Sequence, residues 1–529
     1  MAGRATGVGL EGITGVLVEV QVERADGLPG LDMTGLPATS IREAKHRVRA
    51  AIGAAGYLWP RERVVVNFAP ADVPKTGTGY DLPLAAALLE QGGQIPKGAL
   101  QDAVLCGELG LEGGVQPSRG AISAALAAQR AGKRRLFVAS ESSVEAAAVP
   151  GLQVIGLSHL VELVEHLHGR HPLPCQEPRD GGSSRSPDKG LGWVRGQPLA
   201  RRAIEIAAAG GHNLLMFGPP GCGKTLLARA MADLLPPMSL EERLEVTCIQ
   251  SISGLRSEGG LALRRPFRAP HASASNAALV GGGNPPCPGE VTLAHHGVLF
   301  LDETPEFSRA ALEALRAPLE DRHVMISRSG RRVRFPASFS LVCAMNPCPC
   351  GYAGDPSKDC RCTSLQIERY VRRLSGPLMD RIDLHVRLDP VNPERLLSNE
   401  QPEDTEVAYE RVARTRALQM ARNELGGRAR PNASLDLAGL QRWAPLDAES
   451  RRFLIHASRR IGMSARAFHR VIRVARTVAD LAGAIDIGRA HLAEAITYRA
   501  LDRMSESAHA RSSEWGSGRN LQMTSTEAL

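Results

Sequence analysis

The sequence predicts an α/β protein in which two mixed α/β parts precede an all-helical C-terminal part. Short apolar, strand-like runs alternate with helical runs as far as about residue 390, and Ala/Leu/Arg helical periodicity dominates beyond it. A Gly-rich loop between an apolar run and a helical run in the second part is typical of a nucleotide-binding turn. A chain of 529 residues is long enough for about three domains.

Composition and charge exclude several classes of protein. Hydrophobic residues make up 43% and charged residues 23%, which is typical of a globular chain. No apolar run approaches the ~18 residues of a membrane span, and the N-terminus lacks a secretory pattern. We therefore expect a cytoplasmic protein without a membrane partner. The net charge of +8 permits a polyanionic partner, but GC-rich coding would also enrich arginine.

The domain division follows shifts in composition. Alternating residues 16–22 predict a strand, residues 41–55 a helix and residues 64–66 a buried strand, so the chain starts as mixed α/β. A stretch rich in Pro, Gly and Ser separates this part from the next and predicts a linker. The expected division is a first domain at 1–168, a linker at 169–192, an α/β core at 193–390, a helical domain at 391–505 and a disordered tail at 506–529.

The Gly-rich loop predicts a phosphate site. An apolar run at 214–217 leads into a G-x-x-x-x-G-K-T match, and a helical run follows. Backbone N–H groups would converge on phosphate oxygens, Lys224 would reach the β- and γ-phosphates, and the Thr225 hydroxyl would bind Mg²⁺. The candidate nucleotide-binding residues are Gly218, Pro219, Pro220, Gly221, Cys222, Gly223, Lys224 and Thr225.

Two further apolar runs end in polar residues. Residues 298–301 are followed by Asp302 and Glu303, and residues 340–345 are followed by Asn346. Carboxyl ends of parallel strands share one edge of a sheet, where ligands bind. Asp302 would hold Mg²⁺, Glu303 would polarise the attacking water, and Asn346 would orient that water or simply form a turn before Pro347. The three strands predict a P-loop ATPase.

At this point the sequence resembles a known group, the AAA+ ATPases of the magnesium-chelatase and MCM-helicase branch, and more closely the YifB/ComM family. The matching stretches cover roughly residues 10 to 500. They include RPFRAPH at 265–271, GGGNP at 281–285, LAHHGVLFLDE at 293–303, MNPCPCG at 345–351, LMDRID at 378–383 and SARAFHRV at 464–471.

The resemblance implies an oligomeric ring, a hexamer, with ATP bound between subunits. Arg381 matches the family's arginine finger, which enters a neighbour's site and stabilises transition-state charge. Arg466 matches the second sensor arginine of the helical lid, acting either within its own chain or on a neighbour. The lid would be the all-α C-terminal domain, and the P-loop part the AAA+ α/β core.

An arginine-rich β-hairpin is predicted between residues 321 and 336. Two alternating segments flank Ser329-Gly330. The position resembles the hairpin that this branch places in the ring pore, where arginines would follow a phosphate backbone without reading bases. A solvated hairpin is the alternative. The candidate DNA-binding residues are Arg328, Arg331, Arg332 and Arg334, and a weaker hypothesis adds Arg264, Arg265 and Arg268.

Four cysteines lie within fifteen residues, in two Cys-x-Cys pairs. Four thiolates suit a tetrahedral, structural Zn²⁺ ion, although Cys-x-Cys gives a tighter bite than the usual Cys-x₂-Cys. Reduced thiols on a flexible loop are the alternative. The candidate zinc ligands are Cys348, Cys350, Cys360 and Cys362.

The first domain resembles the Lon protease domain around residues 69–83 and 107–117. The alignment puts Gly79 where that family has its nucleophilic serine and Ile122 where it has its lysine. A Ser–Lys dyad needs a hydroxyl and a base, so we expect a Lon-protease-like α+β fold without proteolysis, used for oligomerisation or DNA contact.

Two functions remain open. The first is a ring-forming ATP hydrolase that drives a DNA motor, a helicase or branch-migration activity on branched or single-stranded DNA in recombination or natural transformation. The second is a magnesium-chelatase-like ATPase that remodels a protein partner or assists metal insertion. The expected cofactors are ATP and Mg²⁺, with structural Zn²⁺ as the further candidate.

Overall fold

A computed structural model describes most of the chain. The described residues are 2–35, 39–71, 75, 77–179, 190–255, 260–328, 331–355, 358–390, 405–423 and 430–499. Residues 180–189 of the predicted linker, the start of the predicted helical domain and the predicted tail at 506–529 lie outside them. Within the described residues, no helix combines the length and apolar character that crossing a membrane requires.

The N-terminal part opens with a four-stranded sheet. Its strands lie in the order β1-β2-β4-β3, with β3 parallel to β4 and the other pairs antiparallel. Alternation buries Val18, Val20 and Val22 on one face. The elements are β1 (Gly3–Glu11), β2 (Thr14–Ala25), β3 (Gly30–Thr34), α1 (Thr39–Ala54) and β4 (Arg63–Ala69).

A second, parallel sheet follows in the order β5-β8-β9. Helix α2 is apolar along almost its whole length because it packs against β1, β2 and β5 and is buried between them. The elements are α2 (Asp81–Gln91), β5 (Ala103–Cys106), β6 (Glu108–Leu109), β7 (Val115–Gln116), α3 (Ala121–Arg130), β8 (Arg135–Ala139), α4 (Ser140–Ala147), β9 (Gln153–Leu157) and α5 (Leu160–Leu167).

The central part contains a parallel five-stranded sheet in the order β11-β14-β17-β10-β18. Its inner strands are buried along their whole length, as apolar runs in a parallel sheet require. The elements are α6 (Pro198–Gly210), β10 (Leu214–Phe217), α7 (Lys224–Leu234), α8 (Leu240–Ile252), β11 (Phe267–Arg268), α9 (Asn276–Val280), β12 (Gly281–Gly282), β13 (Cys287–Pro288), α10 (Glu290–Leu293), β14 (Val298–Leu301), α11 (Arg309–Ala314), α12 (Arg316–Asp321), β15 (His323–Arg328), β16 (Arg331–Pro336), β17 (Ser340–Met345), α13 (Ser364–Val371), α14 (Gly376–Met379) and β18 (Leu384–Arg387).

The C-terminal part is helical over its described residues, as the sequence predicts. Its helices are α15 (Thr405–Arg422), α16 (Leu437–Trp443), α17 (Ala448–Ile461), α18 (Ala465–Leu481) and α19 (Arg489–Thr497). Helix α18 carries an apolar stripe that shares one core with α6 and the sheet, so this part packs directly on the nucleotide-binding part.

The N-terminal part packs against the central part, and two contacts among the described residues illustrate this. The Gly120 N–H donates to the Ser251 hydroxyl at 3.1 Å, joining α3 to the end of α8. The turn between β1 and β2 lies against the hairpin of β15 and β16, since a Cβ on Gly12 would be 2.8 Å from the Arg334 carbonyl oxygen. The first domain is therefore packed on the second.

Candidate functional site

The phosphate loop joins β10, a central strand of the five-stranded sheet, to α7. Gly223 stands before the first turn of α7 with φ near +91°, a conformation that favours glycine. Lys224 turns back over the loop and donates to the carbonyl oxygens of Gly218 at 2.7 Å and Pro219 at 2.9 Å. Burial lowers the pKa of the Lys224 ammonium.

The Lys224 ammonium also donates to Oδ1 of Asn346, at 3.0 Å. This bond joins two residues that are far apart in sequence, because β10 and β17 are adjacent parallel strands. Tyr370 lies next to the Asn346 backbone, and burial raises the pKa of Tyr370 to about 12. Tyr370 is a supporting neighbour of Asn346, and no sequence pattern pointed to it.

Thr225 and Asp302 form an oxygen pair beside the loop. The Thr225 hydroxyl donates to Oδ2 of Asp302 at 3.1 Å, while Oδ1 of Asp302 accepts from the Glu303 N–H at 2.9 Å. A hydroxyl and a carboxylate oxygen are ligands that Mg²⁺ prefers. The residues therefore fit a magnesium ion bound together with a nucleotide.

Glu303 lies at the end of β14 in a left-handed conformation, with φ near +47°, and its side chain is exposed. The buried Thr304 hydroxyl fixes this turn by donating to the carbonyl oxygens of Leu301 at 2.8 Å and Ala344 at 3.0 Å. A strained backbone held on both sides is typical of a functional position. Thr304 is a second supporting residue that the sequence did not indicate.

The arginines predicted to complete the site lie elsewhere. The Arg381 carbonyl oxygen accepts from the side chain of Asn213, which precedes β10, at 2.8 Å. The phosphate loop follows the other end of that strand, about 13 Å away for four residues. Arg381 is buried, and its guanidinium pairs with Glu320 of α12. The chain thus does not bring Arg381 to its own Lys224.

Arg466 lies beside Arg381. Its exposed guanidinium is 3.8 Å from the carboxylate of Asp380, the neighbour of Arg381 in sequence. Both arginines are therefore at the amino-terminal edge of the sheet, opposite the phosphate loop.

A buried charge network ties this edge to the helical part. The Asp383 carboxylate accepts from the Asn213 N–H at 2.9 Å and pairs with Arg470 of α18. Despite burial, the charge of Arg470 and the proximity of His212, whose Nδ1 is 3.6 Å away, hold the pKa of Asp383 well below its usual range. The network fixes α18, and hence Arg466, relative to Arg381.

The predicted hairpin forms from β15 and β16, which pair antiparallel, with Ser327 opposite Arg332 and Met325 opposite Arg334. Val333 and Phe335 are buried, whereas the Arg332 and Arg334 side chains are exposed on the other face. The side chains of Arg328 and Arg331, like the turn residues 329–330, lie outside the described residues.

Two of the three arginines of the weaker hypothesis, a second basic cluster, have carboxylate partners in the same chain. Arg265 pairs with Glu242 at 2.8 Å and donates to three backbone carbonyl groups, and Arg268 forms a bidentate pair with Glu290 at 2.6 and 2.8 Å. Carboxylates of the same chain already occupy these guanidinium groups, so they hold the segment together.

The four cysteines of the predicted zinc site converge. Sγ of Cys348 lies 3.3 Å from Sγ of Cys350 and 3.6 Å from Sγ of Cys360, and Cys350 lies 3.6 Å from Cys360. Cys362 completes a group whose donor atoms all lie within 4.8 Å of one another, and none of the four is in a disulfide.

A second cluster contains Glu245, His295 and His296, with Nε2 of each histidine within 2.9 Å of one Glu245 oxygen. The Ser338 N–H donates to Nδ1 of His295, so the His295 proton is on Nε2, which a metal would need free. The arrangement fits hydrogen bonding and not a metal. Burial lowers the pKa of His295 to about 4.

In the N-terminal part, the two positions aligned with the Lon dyad, Gly79 and Ile122, have no nucleophile or base for hydrolysis. Ile122 is fully buried. A Cβ on Gly79 would lie 3.4 Å from both the Cys106 thiol and the Ser118 hydroxyl, which contact each other at 3.1 Å. Burial raises the pKa of the Cys106 thiol, which disfavours a nucleophilic thiolate.

A parallel sheet with a phosphate loop after a central strand, and carboxylates after the next strand but one, defines the chain as a P-loop nucleotide-binding protein. Comparisons with known families refine that class. The profile described as magnesium chelatase, subunit ChlI, matches residues 190–396. Profiles for subunit ChlI of Mg-chelatase and for the ChlI C-terminal region match residues 18–142 and 402–499.

Known relatives match over nearly the whole chain. YifB of Escherichia coli is 43% identical over 497 residues, covering 93% of this chain and 96% of the relative. The competence protein ComM of Haemophilus influenzae is 41% identical over 501 residues, with shares of 93% and 96%. The archaeal Lon protease of Halobacterium salinarum is 45% identical over only 58 residues, or 11% of this chain and 8% of the relative. The chain belongs to the magnesium-chelatase-like AAA+ ATPase family that includes YifB and ComM.

Proposed function

We propose that this protein is a ring-forming ATPase that uses ATP hydrolysis to move DNA, as a helicase or branch-migration motor. The observation that supports a DNA motor is the exposed pair of Arg332 and Arg334. They lie on a hairpin that is connected to β17, the strand that ends before Asn346. Only residues 337–339 separate β16 from β17, so a displacement of Asn346 moves the base of the hairpin.

Hydrolysis follows from the loop and its neighbours. Lys224 exchanges its Asn346 and carbonyl partners for the β- and γ-phosphates, and the freed Asn346 amide orients the attacking water. Glu303 accepts the proton of that water. The Thr225 hydroxyl and the Asp302 carboxylate would hold Mg²⁺, which when bound neutralises charge on the phosphates.

The site needs a second copy of the chain. Arg381 and Arg466 lie at the opposite sheet edge from their own Lys224, and both reach a phosphate only when that edge faces the loop of a neighbour. We therefore propose that both arginines act on the neighbouring subunit, and that a closed ring, a hexamer, repeats the contact. The cofactors are ATP and Mg²⁺, and we assign a structural Zn²⁺ to the four cysteines.

The partner is a nucleic acid backbone. Two exposed arginines on one face of a strand suit phosphates, which every nucleotide carries, more than particular bases. The name of the Haemophilus relative, competence protein ComM, supports DNA taken up during transformation, with branched or single-stranded DNA as the expected form. The second candidate, an ATPase that remodels a protein partner or assists metal insertion, is favoured by the magnesium-chelatase description of the matching family.

The test is the ATPase rate with and without forked or single-stranded DNA. Arg332→Ala/Arg334→Ala should abolish the stimulation of the ATPase rate by DNA. For single-stranded DNA, the slope of log K for binding against log salt concentration should become shallower by about 0.7 per lost phosphate contact. Arg451→Ala/Arg452→Ala, on an exposed face of α17, removes the same charge and should change neither. No stimulation and no salt-sensitive binding would favour the second candidate.

A further inference from the structure

The four-cysteine cluster has the dimensions of a metal site. In a tetrahedron with Zn–S bonds of 2.3 Å, neighbouring sulfur atoms are about 3.8 Å apart. Three of the Sγ–Sγ distances here are 3.3, 3.6 and 3.6 Å, close to those edges and far longer than a disulfide. The thiols can therefore surround one ion even though each pair has the short Cys-x-Cys spacing.

Backbone N–H groups point at the sulfur atoms. The Ala353 N–H lies 3.3 Å from Sγ of Cys348, and the Cys362 N–H lies 3.5 Å from Sγ of Cys360. Such bonds stabilise thiolates that ligate a metal and fix their orientation. The same N–H groups would stabilise neutral thiols on a loosely held loop much less.

The cluster lies against the ATP site. Cys348 is fully buried and follows Asn346 by two residues. Gly351, between the cysteine pairs, lies against the phosphate loop, because a Cβ on it would be 3.0 Å from Cδ of Pro220. The cysteine loop therefore holds Asn346 at one end and touches the phosphate loop at its middle.

We infer that the cluster binds one Zn²⁺ ion, and that this ion holds Asn346 and the phosphate loop in the arrangement that hydrolyses ATP. The inference rests on the proposed ATPase function. Four Zn–S bonds form as four thiol protons leave to solvent, and the ion takes no part in the reaction. It acts on hydrolysis through position, so Asn346 is the residue that touches the reacting atoms.

Metal content is the first test. Full-length protein purified without chelator should contain about one zinc per chain, and Co²⁺ exchanged into it should show the strong visible absorption of a tetrahedral sulfur site. Cys360→Ser/Cys362→Ser should lose both signals. Cys175→Ser/Cys287→Ser, which removes two exposed cysteines elsewhere, should keep both. Absence of zinc from the wild type, also after incubation with Zn²⁺, overturns the inference.

The second test asks whether zinc positions Asn346 for ATP hydrolysis. Zinc loss should lower the ATPase rate about tenfold or more, and release of zinc from the wild type by an organomercurial, followed by thiol and Zn²⁺, should reverse it. In an Asn346→Ala background the cysteine change should add less than it does in the wild type, since the part of its effect that passes through Asn346 is already lost. A full additional loss, or an unchanged rate in Cys360→Ser/Cys362→Ser, contradicts the positioning role.

Failure of the proposed function gives a different result. A wild type that contains zinc and the Co²⁺ signature but hydrolyses no ATP would refute the ATPase and leave the metal site in place. Binding of a fluorescent ATP analogue then still tests the contact with Pro220, because it should weaken about tenfold on zinc removal. Unchanged binding would contradict that contact's role.

Discussion

Arg381 is paired with Glu320 of its own chain, at the sheet edge opposite Lys224. The pair joins a buried arginine to a half-exposed carboxylate, so Arg381 must leave Glu320 before it can reach any phosphate. The same edge carries Arg466 next to Asp380. If both arginines act on a neighbouring subunit, as we propose, hydrolysis depends on how two copies of the chain meet.

Mixing two inactive variants should restore activity. Arg381→Ala lacks the arginine and Lys224→Ala lacks the phosphate contact, so each alone should hydrolyse ATP at least 10³-fold more slowly than the wild type. In a mixed ring some interfaces combine Lys224 of one copy with Arg381 of the other. The ATPase rate against mixing ratio should rise to a maximum near equal amounts. If the mixture is as inactive as its components, Arg381 does not act between subunits.

Glu320→Gln should raise the ATPase rate of the assembled protein. The change removes the charge that retains Arg381, and a retention of about 1 kcal/mol corresponds to about fivefold. Steady-state rates at saturating ATP and high protein concentration measure it. The matched control is Glu313→Gln, which weakens the ion pair between Glu313 of α11 and Arg316 of α12. A slower Glu320→Gln enzyme would mean that Glu320 positions Arg381 for its work.

Glu303→Gln should separate binding from hydrolysis. The amide keeps the size of the side chain and cannot accept a proton from water, so hydrolysis should fall about 10²- to 10⁴-fold. Affinity for a fluorescent ATP analogue should be unchanged, since Lys224 and Thr225 remain. Glu306→Gln, three residues on and paired with Arg373, should retain both. Loss of nucleotide binding in Glu303→Gln would assign the residue to binding.

Acid should destabilise the fold through His295. Burial lowers its pKa from 6.5 to about 4, so between these values the unfolded chain takes up a proton that the folded chain does not. The free energy of unfolding should fall by about 3 kcal/mol as the pH falls across that window, and be retained above it. The two histidines also hold the pKa of Glu245 low, which acts in the same direction.

Thermal unfolding between about pH 7 and about pH 4.5 measures this. His295→Asn keeps an acceptor for the Ser338 N–H and has no titrating group, so its unfolding temperature should depend less on pH. His46→Asn, at an exposed position on α1, should follow the wild type. An equal pH dependence in all three proteins would remove His295 as the cause.

The fold class and the core of the ATP site could be predicted from the sequence because their signals are local. Each of Lys224, Asp302 and Asn346 follows or ends a short apolar strand, and parallel strands bring their carboxyl ends together without further information. Local patterning likewise predicted the hairpin and the convergence of the cysteine pairs, whose members lie close together in the chain.

The remaining contacts could not be predicted, because they join residues far apart in sequence. Asn213 and Arg381 are 168 residues apart, and the Glu245–His295 bond spans 50. The charge of Arg265 and Arg268 was visible in the sequence, but their carboxylate partners depend on how α8 and α10 pack. A basic cluster is informative only when the acids around it are known.

The contact of Gly12 with the Arg334 backbone adds a mechanical constraint. The same turn is fixed from behind, since the Ser123 hydroxyl of α3 donates to the Ile13 carbonyl oxygen at 2.7 Å. A hairpin supported at its base in this way cannot swing freely when β17 shifts. In the proposed motor, a stroke that pulls on DNA would also push against the N-terminal layer, which would bear part of the load.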